Sequence, residues 1–231
     1  MPIIIEFVGH AGSGKTYLAK RLSDVLGDEC ISIEGFPMRM SDALLFIAMN
    51  PGKVVLIFKY ILSSKQINVT YFMKSLRKML VYYVKLETAM RKQAKYIIIS
   101  EGVLKIFNDI RSTSAIRNMT YTHVPQSIRN RIFASPHLVI FVFSSLEVVA
   151  KRLLLREKAI VTEGDIKNEM NRIGNNFLSS VIDNTNNINA AKEEHEFRVL
   201  ELSNSQPCLT NRAIDRIVEK VSCLEGGVKA A

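Results

Sequence analysis

The chain contains 231 residues, of which 48% are hydrophobic and 23% are charged, a composition typical of a globular protein and too apolar for a disordered one. Its 31 basic and 22 acidic side chains give a formal net charge of +9, which attracts polyanions without distinguishing nucleotides from nucleic acids. The three cysteines form no CxxC pair, so the sequence predicts neither a disulfide framework nor a zinc knuckle and favours a reducing compartment.

Length and hydrophobicity also set the expected domain organisation. A chain of this size buries roughly 70% of the surface that its unfolded form exposes, which is sufficient for one core. We therefore expect a single domain over residues 1–225 and a flexible tail over 226–231. The longest apolar region, residues 41–62, is interrupted by the sequence NPGK, and neither half reaches the roughly 18 to 20 apolar residues of a membrane-spanning helix. Because the N-terminus is also unlike a cleavable signal peptide, we expect a soluble, cytoplasmic protein without a membrane partner.

Five short apolar runs rich in β-branched residues alternate with segments of helical periodicity. The runs cover residues 3–8, 31–33, 96–99, 138–143 and 197–202. Continuous apolar strands separated by helices predict a parallel sheet covered on both faces. The predicted fold class is therefore α/β, with three α/β/α layers around a mostly parallel, five-stranded sheet.

Between the strands, the sequence predicts helices over residues 50–62 and 71–94. Asn50 and Pro51 fit the N-cap and the first helical position of the shorter one. The Asn-rich stretch over 175–190 is expected to weaken into a surface loop before the last strand.

A glycine-rich motif lies between the first strand and the first helical pattern. Residues 9–16 read GHAGSGKT and fit G-x-x-x-x-G-K-[ST], the spacing of a phosphate-binding P-loop. Small residues here let successive backbone N–H groups converge on a phosphate, and the helix N-terminus adds a partial positive charge. We expect Lys15 to reach the β and γ phosphates of ATP and the Thr16 hydroxyl to ligate Mg²⁺. The predicted ATP-binding residues are Gly9, Ala11, Gly12, Ser13, Gly14, Lys15, Thr16 and Tyr17.

Two carboxylates follow predicted strands, at the edge of the sheet where doubly wound folds bind ligands. Glu34 comes after the second strand and Glu101 after the third. Mg-nucleotide chemistry needs an acid near the metal, and transfer to a hydroxyl benefits from a carboxylate that accepts its proton. We expect Glu101 to hold Mg²⁺ together with Thr16, and Glu34 to activate or orient the acceptor. The alternative is that both are solvated loop carboxylates near helix N-termini.

Several segments together resemble the P-loop nucleoside and nucleotide kinases, especially the thymidylate-kinase-like members. They are the P-loop, the acid after CISI, the apolar strand leading into SEG, and HLVIFVFSSLEVVAKRLLLRE. The resemblance implies a P-loop NTPase fold with a small helical lid over about residues 152–170. It also implies that the loop over 204–207 contacts the adenine base, although an ordinary strand-to-helix connection is the alternative.

The family carries an R-x-x-x-R motif on the helix leading to the lid, matched here by Arg152 and Arg156. Four residues apart, they share one helical face, and the resemblance implies that they clamp the transferring phosphoryl group. The alternative is an exposed helix whose arginines pair with Glu147 or Glu157. The chain departs from the family after the third strand, because Ser100-Glu101-Gly102 keeps the acid but lacks the usual arginine. The acceptor's identity is therefore not carried over.

The function that these observations favour is an Mg²⁺-dependent kinase transferring the γ-phosphoryl of ATP to a small metabolite, most simply a nucleoside or nucleoside monophosphate. The other hypothesis is a nucleotide-binding regulatory or nucleic-acid-associated protein, with a basic helical stripe as its contact surface. The stripe contains Lys74, Lys78, Lys85 and Lys92. Aromatic residues are not interleaved with these lysines as a base-stacking platform requires, so nucleic-acid binding is less favoured. A homodimer is left open.

Overall fold

The computed structural model describes residues 1–33, 47–48, 51–52, 55, 84–100, 135–157, 160–194, 198–204 and 209–228. The strands described are β1 (Ile3–Val8), β2 (Cys30–Ser32), β3 (Tyr96–Ile99), β4 (His137–Phe143) and β5 (Arg198–Ser203). The long helices described are α1 (Lys15–Leu26), α2 (Leu146–Glu157), α3 (Glu163–Glu194) and α4 (Leu209–Val228). Each strand lies within one residue of a predicted run, because buried β-branched runs specify strands locally.

The sheet has the order β2-β3-β1-β4-β5, and all neighbouring strands are parallel. All six residues of the central strand β1 are buried, which explains why its sequence is apolar without alternation. The chain places β2 and β3 on one side of β1 and then crosses to place β4 and β5 on the other. This reversal puts the topological switch point at the carboxyl end of β1, where open α/β sheets bind ligands.

Helices α1 and α4 pack on one face of the sheet. Leu22 of α1 and Ile217 of α4 are buried in the same cluster as Phe7 of β1, and burying each such side chain contributes about 1.5–3 kcal/mol. Ile4 and Val8 point to the opposite face and are buried as well, so both faces of the sheet are covered. This arrangement confirms the predicted three-layer α/β/α P-loop NTPase fold.

The surface loop predicted toward the end of the 175–190 stretch is wrong, because α3 continues as a helix to Glu194. Asparagine is a weak helix former, but tertiary packing regularly overrides propensity. Helix α3 packs along α2, and Ile188 is buried near its carboxyl end. The helix begins where the lid was expected, after a reciprocal cap in which the Thr162 hydroxyl accepts from the Asp165 amide at 3.2 Å and the Asp165 carboxylate accepts from the Thr162 amide at 3.1 Å.

Two other expectations about helix ends differ from the structure. Helix α4 extends to Val228, three residues into the segment predicted as a tail. The helix expected over 71–94 is described from residue 84 and ends at residue 91. Gln93 has a φ of 56°, and a left-handed residue just after a helix ends its hydrogen-bond pattern. Most of the helix predicted over 50–62 lies outside the described residues.

A carboxylate and an imidazole lie together inside the sheet layer. Glu6 of β1 and His137 of β4 are 0% and 1% exposed, and His137 Nε2 lies 3.2 Å from Glu6 Oε2. Buried charges and polar groups are tolerated in proteins when they are paired. This contact therefore links the buried side chains of the neighbouring strands β1 and β4.

Within the described parts of the chain, no helix has both the length and the hydrophobicity required to cross a membrane.

Candidate functional site

The loop between β1 and α1 has the backbone geometry that its glycines allow. Gly9, Gly12 and Gly14 have φ values of 148°, 79° and 94°, in the region that other residues enter only with strain. A Cβ at Gly9 would overlap the Val142 carbonyl oxygen, and one at Gly14 would overlap the Asn204 side chain. The motif glycines are therefore required both by the backbone conformation and by the close approach of β4 and of the residue after β5.

The loop ends on the N-terminus of α1, whose N-cap residue is a glycine. Gly14 is the N-cap residue in a left-handed conformation, and among the described residues no side chain caps this helix end. The first amides of a helix have no intrahelical acceptor and carry a partial positive charge. Such an end, following a glycine-rich turn, is a ready anion site. Thr16 and Tyr17 are exposed in this first turn.

Lys15 lies inside the loop rather than in solvent. It is 8% exposed, and its Nζ donates a hydrogen bond to the His10 carbonyl at 2.7 Å. The ammonium is thus held within the same turn whose amides form the anion site. A phosphate oxygen is a stronger acceptor than a neutral carbonyl. A phosphate bound in the loop can therefore replace the His10 carbonyl as the acceptor of the Lys15 ammonium.

His10 packs the loop against α3. Its Nδ1 donates to the Ala11 carbonyl at 2.9 Å, and its ring lies 4.5 Å from the ring of Phe177. Burial, assisted by the charges of Lys15 and Arg152, lowers the pKa of His10 below its usual value. No local sequence signal points to this contact, because Phe177 lies on a helix far along the chain.

Arg152 is placed behind the P-loop. Its Nη1 donates to the Ser13 carbonyl at 3.2 Å and to the Gly12 carbonyl at 3.3 Å. Its Nη2 donates to the Asn204 carbonyl at 2.8 Å. Arg156, one turn further along α2, is exposed. The two arginines expected to act as one clamp therefore have different surroundings, and Arg152 is occupied by protein carbonyls.

Asn204 and Ser144 complete this buried network. Asn204 follows β5 directly, and its Nδ2 donates to the Ser13 carbonyl at 2.8 Å. Ser144 follows β4, and its hydroxyl donates to the Asn204 carbonyl at 2.9 Å. Sequence reasoning placed Asn204 in a segment contacting adenine; the structure places its side chain on the P-loop, and residues 205–207 lie outside the described part. Spatial proximity alone reveals this role.

Several predicted site residues cannot be placed in this geometry. Glu34 and Glu101 lie outside the described residues, as do Lys74 and Lys78 of the basic stripe. Of the other stripe residues, Lys92 is exposed and Lys85 is half-buried.

Among the described residues, the group placed to bind Mg²⁺ with a nucleotide is the Thr16 hydroxyl at the start of α1. No group of three or more His, Cys, Asp or Glu side chains forms a metal site in the part of the chain that the structure describes. Mg²⁺ bound with a nucleotide does not require such a group, since one or two protein oxygens join phosphate oxygens and waters. The exposed Thr16 hydroxyl is a hard oxygen donor of the required kind.

The fold and this loop define the chain as an α/β protein of the P-loop class. No family model and no curated protein matches its sequence. Among solved structures, it is similar to deoxyadenosine kinase from M. mycoides, with 16% identity, a TM-score of 0.48, and coverage of 95% of this chain and 99% of that chain.

Two further structures show likenesses of similar extent. TT1252 from Thermus thermophilus has 14% identity and a TM-score of 0.43 over 95% of this chain and 97% of that one. A protein from Eubacterium ventriosum has 13% identity and a TM-score of 0.45 over 96% and 99%. Because identities and TM-scores are this low, the function has to be derived from the site itself.

Proposed function

We propose that this chain is an Mg²⁺-dependent phosphotransferase that moves the γ-phosphoryl group of ATP to a small metabolite, most simply a nucleoside or a nucleoside monophosphate. The observation that carries the proposal is the P-loop geometry: three glycines at positive φ, a buried Lys15, and a helix N-terminus whose N-cap residue makes no side-chain cap hydrogen bond. Backbone amides arranged in this way bind phosphate oxygens.

Each residue of the site has a separate role in the proposed reaction. The loop amides hold the nucleotide's phosphates, and Lys15 exchanges the His10 carbonyl for the β and γ phosphate oxygens. Thr16 is the described residue that would hold Mg²⁺, which when bound offsets the negative charge on the β and γ phosphates. Glu101 is proposed as a second group near the metal, and Glu34 as the carboxylate that orients the acceptor and takes its proton.

Arg156 is proposed as the group that contacts the transferred phosphoryl group. It is exposed on α2, one turn beyond the part of that helix that contacts the P-loop. An arginine that reaches the equatorial phosphoryl oxygens stabilises the charge they carry in the transition state. Arg152 differs from Arg156, because its guanidinium donates to the Ser13 and Asn204 carbonyls.

The test is acceptor-stimulated release of ADP. Purified protein is incubated with ATP and Mg²⁺, and nucleosides, nucleoside monophosphates and sugars are added one at a time. We expect at least one acceptor to raise ADP release, and Lys15→Ala to lower the stimulated rate by about 10²-fold. Lys20→Ala, an exposed position on the same helix, is the matched control and should leave the rate unchanged.

A different result would support the second candidate function. If no acceptor stimulates ADP release while the protein is retained on DNA or RNA in a salt-dependent way, the chain is a nucleic-acid-associated P-loop protein. The formal charge of +9 is the observation that supports this second function.

A further inference from the structure

The carbonyl groups of a P-loop require hydrogen-bond donors from the protein behind the loop. Each peptide unit is planar and trans, so its C=O points opposite to its N–H. The Gly14 amide and the Ser13 carbonyl belong to one such unit. If the amide faces an anion, the carbonyl faces the protein, where a buried polar group without a partner is costly. The anion-binding shape therefore depends on donors located behind the loop.

The structure supplies such donors from different elements, and the two shortest contacts come from Asn204 and Arg152. The Ser13 carbonyl accepts from Asn204 Nδ2 at 2.8 Å and from Arg152 Nη1 at 3.2 Å, and the Ser144 hydroxyl lies further away at 3.4 Å. Arg152 Nη1 also lies 3.3 Å from the Gly12 carbonyl. Arg152 belongs to α2 and Asn204 follows β5, so the loop is tied to two other parts of the fold.

The two donors are also joined to each other. Arg152 Nη2 donates to the Asn204 carbonyl at 2.8 Å, and the Ser144 hydroxyl donates to the same oxygen at 2.9 Å. Ser13, Ser144 and Asn204 are all buried, and hydrogen bonds of this kind strengthen one another when water is excluded. The guanidinium additionally places a positive charge directly behind the anion site.

Gly14 shows that this fit is close. A Cβ on Gly14 would overlap Asn204 Nδ2, so the amide side chain lies directly against the loop backbone. The direction of the Gly14 amide is thus set from behind by the residue that follows β5.

From these contacts we propose that Arg152 and Asn204 form a brace that holds the P-loop in its anion-binding shape, and that Arg152 acts as a positioning residue instead of contacting the transferred phosphoryl group. The inference rests on the proposed function, since it assumes that the loop binds nucleotide phosphates. It separates the roles of the two arginines that the R-x-x-x-R motif groups together.

A brace and a clamp make different predictions for ADP and ATP. The P-loop amides hold phosphates that both nucleotides carry, whereas a clamp on the γ-phosphate is used only by ATP. Removing the brace should lower the affinities for ATP and ADP by the same factor. Removing a clamp should lower the affinity for ATP much more than the affinity for ADP.

The experiment measures ADP and ATP affinities by calorimetry, with Mg²⁺, for the wild type and the variants Arg152→Ala, Asn204→Ala and their combination. We expect each single variant to weaken both nucleotides equally, by about tenfold. The combined variant should lose less than the product of the two single losses, because the side chains belong to one network. Lys151→Ala, an exposed neighbour on α2, is the control and should bind as the wild type does.

Other results would overturn the brace. A loss for Arg152→Ala confined to ATP would make that residue a clamp, and unchanged affinities in both single variants would make the network irrelevant to binding. If Arg152→Ala does not fold, Arg152→Lys and Asn204→Ala provide the same comparison. A folded wild type that binds neither nucleotide, with Lys15→Ala indistinguishable from it, would overturn the proposed function and the brace together. Binding by the wild type with unaffected brace variants would overturn only the brace.

Discussion

At the scale of single residues, the P-loop combines positive φ angles with close contacts. Gly14 and Gly27 both have positive φ values, of 94° and 58°. They differ in their surroundings, because a Cβ on Gly14 would overlap Asn204 whereas a Cβ on Gly27 would meet nothing within 4 Å. The pair therefore separates backbone strain from a steric clash inside the loop.

Gly14→Ala should consequently weaken the nucleotide binding that Gly27→Ala leaves intact. We expect Gly27→Ala to lower the free energy of unfolding by about 1–3 kcal/mol through strain alone, with normal nucleotide affinity. Gly14→Ala should lower the affinity by at least about tenfold, since it displaces the Asn204 side chain and its hydrogen bond to the loop. Urea unfolding and calorimetry measure the two quantities. Wild-type affinity in Gly14→Ala would show that the loop does not depend on this fit.

His10 should make stability depend on pH in a defined window. Its pKa is lowered from an ordinary value of 6.5, mainly by burial. As the pH falls below about 6.5, the unfolded chain takes up the proton first, so the stabilising contribution of the neutral ring is lost progressively until the lowered pKa is passed. The wild type should therefore lose more stability between about pH 7 and pH 5 than His10→Gln, measured by urea unfolding. Parallel pH profiles for the two proteins would contradict the assignment.

At the scale of elements, the P-loop and the strands could be predicted from the sequence, whereas the network behind the loop could not. The residues of GHAGSGKT and of the apolar runs are local, so spacing and hydrophobicity identify them. Arg152 and Asn204 are brought to Ser13 only by the arrangement of α2 and β5. The carboxyl half of α3 was not predictable for a related reason, because tertiary burial, seen at Ile188, outweighs the weak helix propensity of its asparagines.

The start of α3 offers a test of how this helix is held. Thr162 and Asp165 cap each other through side-chain and backbone hydrogen bonds. Replacing a threonine cap by alanine costs about 1 kcal/mol, whereas serine keeps the hydroxyl. We expect Thr162→Ala to lower the free energy of urea unfolding by that amount and Thr162→Ser to lower it by much less. Equal stabilities of the alanine variant and the wild type would show that the cap does not contribute.

At the scale of the whole molecule, the central strands form part of the buried core and also lead into the functional loop. Strand β1 leads into the P-loop and is buried along its full length. It also contributes Glu6, whose carboxylate lies 3.2 Å from the His137 imidazole of the neighbouring strand β4. Loss of this contact should therefore destabilise the strand that leads into the P-loop.

Removing one partner of this pair should destabilise the entire fold. Glu6→Ala and His137→Ala each remove one side of this buried contact, and we expect each to lower the free energy of unfolding by about 3–5 kcal/mol. Replacing both together with apolar residues, as in Glu6→Leu/His137→Phe, should cost less than either single change. The control Glu201→Ala, at an exposed site on β5, should change stability by less than about 0.5 kcal/mol. A double variant as unstable as the sum of the single variants would contradict this account.

The most direct measurement is a calorimetric titration of ATP with Mg²⁺ into the folded wild type, Lys15→Ala and Lys20→Ala. The loop amides and the buried ammonium predict heat of binding for the wild type and for Lys20→Ala, and at least about tenfold weaker binding for Lys15→Ala. If the wild type gives no heat with any purine triphosphate, or if Lys15→Ala binds as tightly as the wild type, the loop is not the nucleotide site proposed for it.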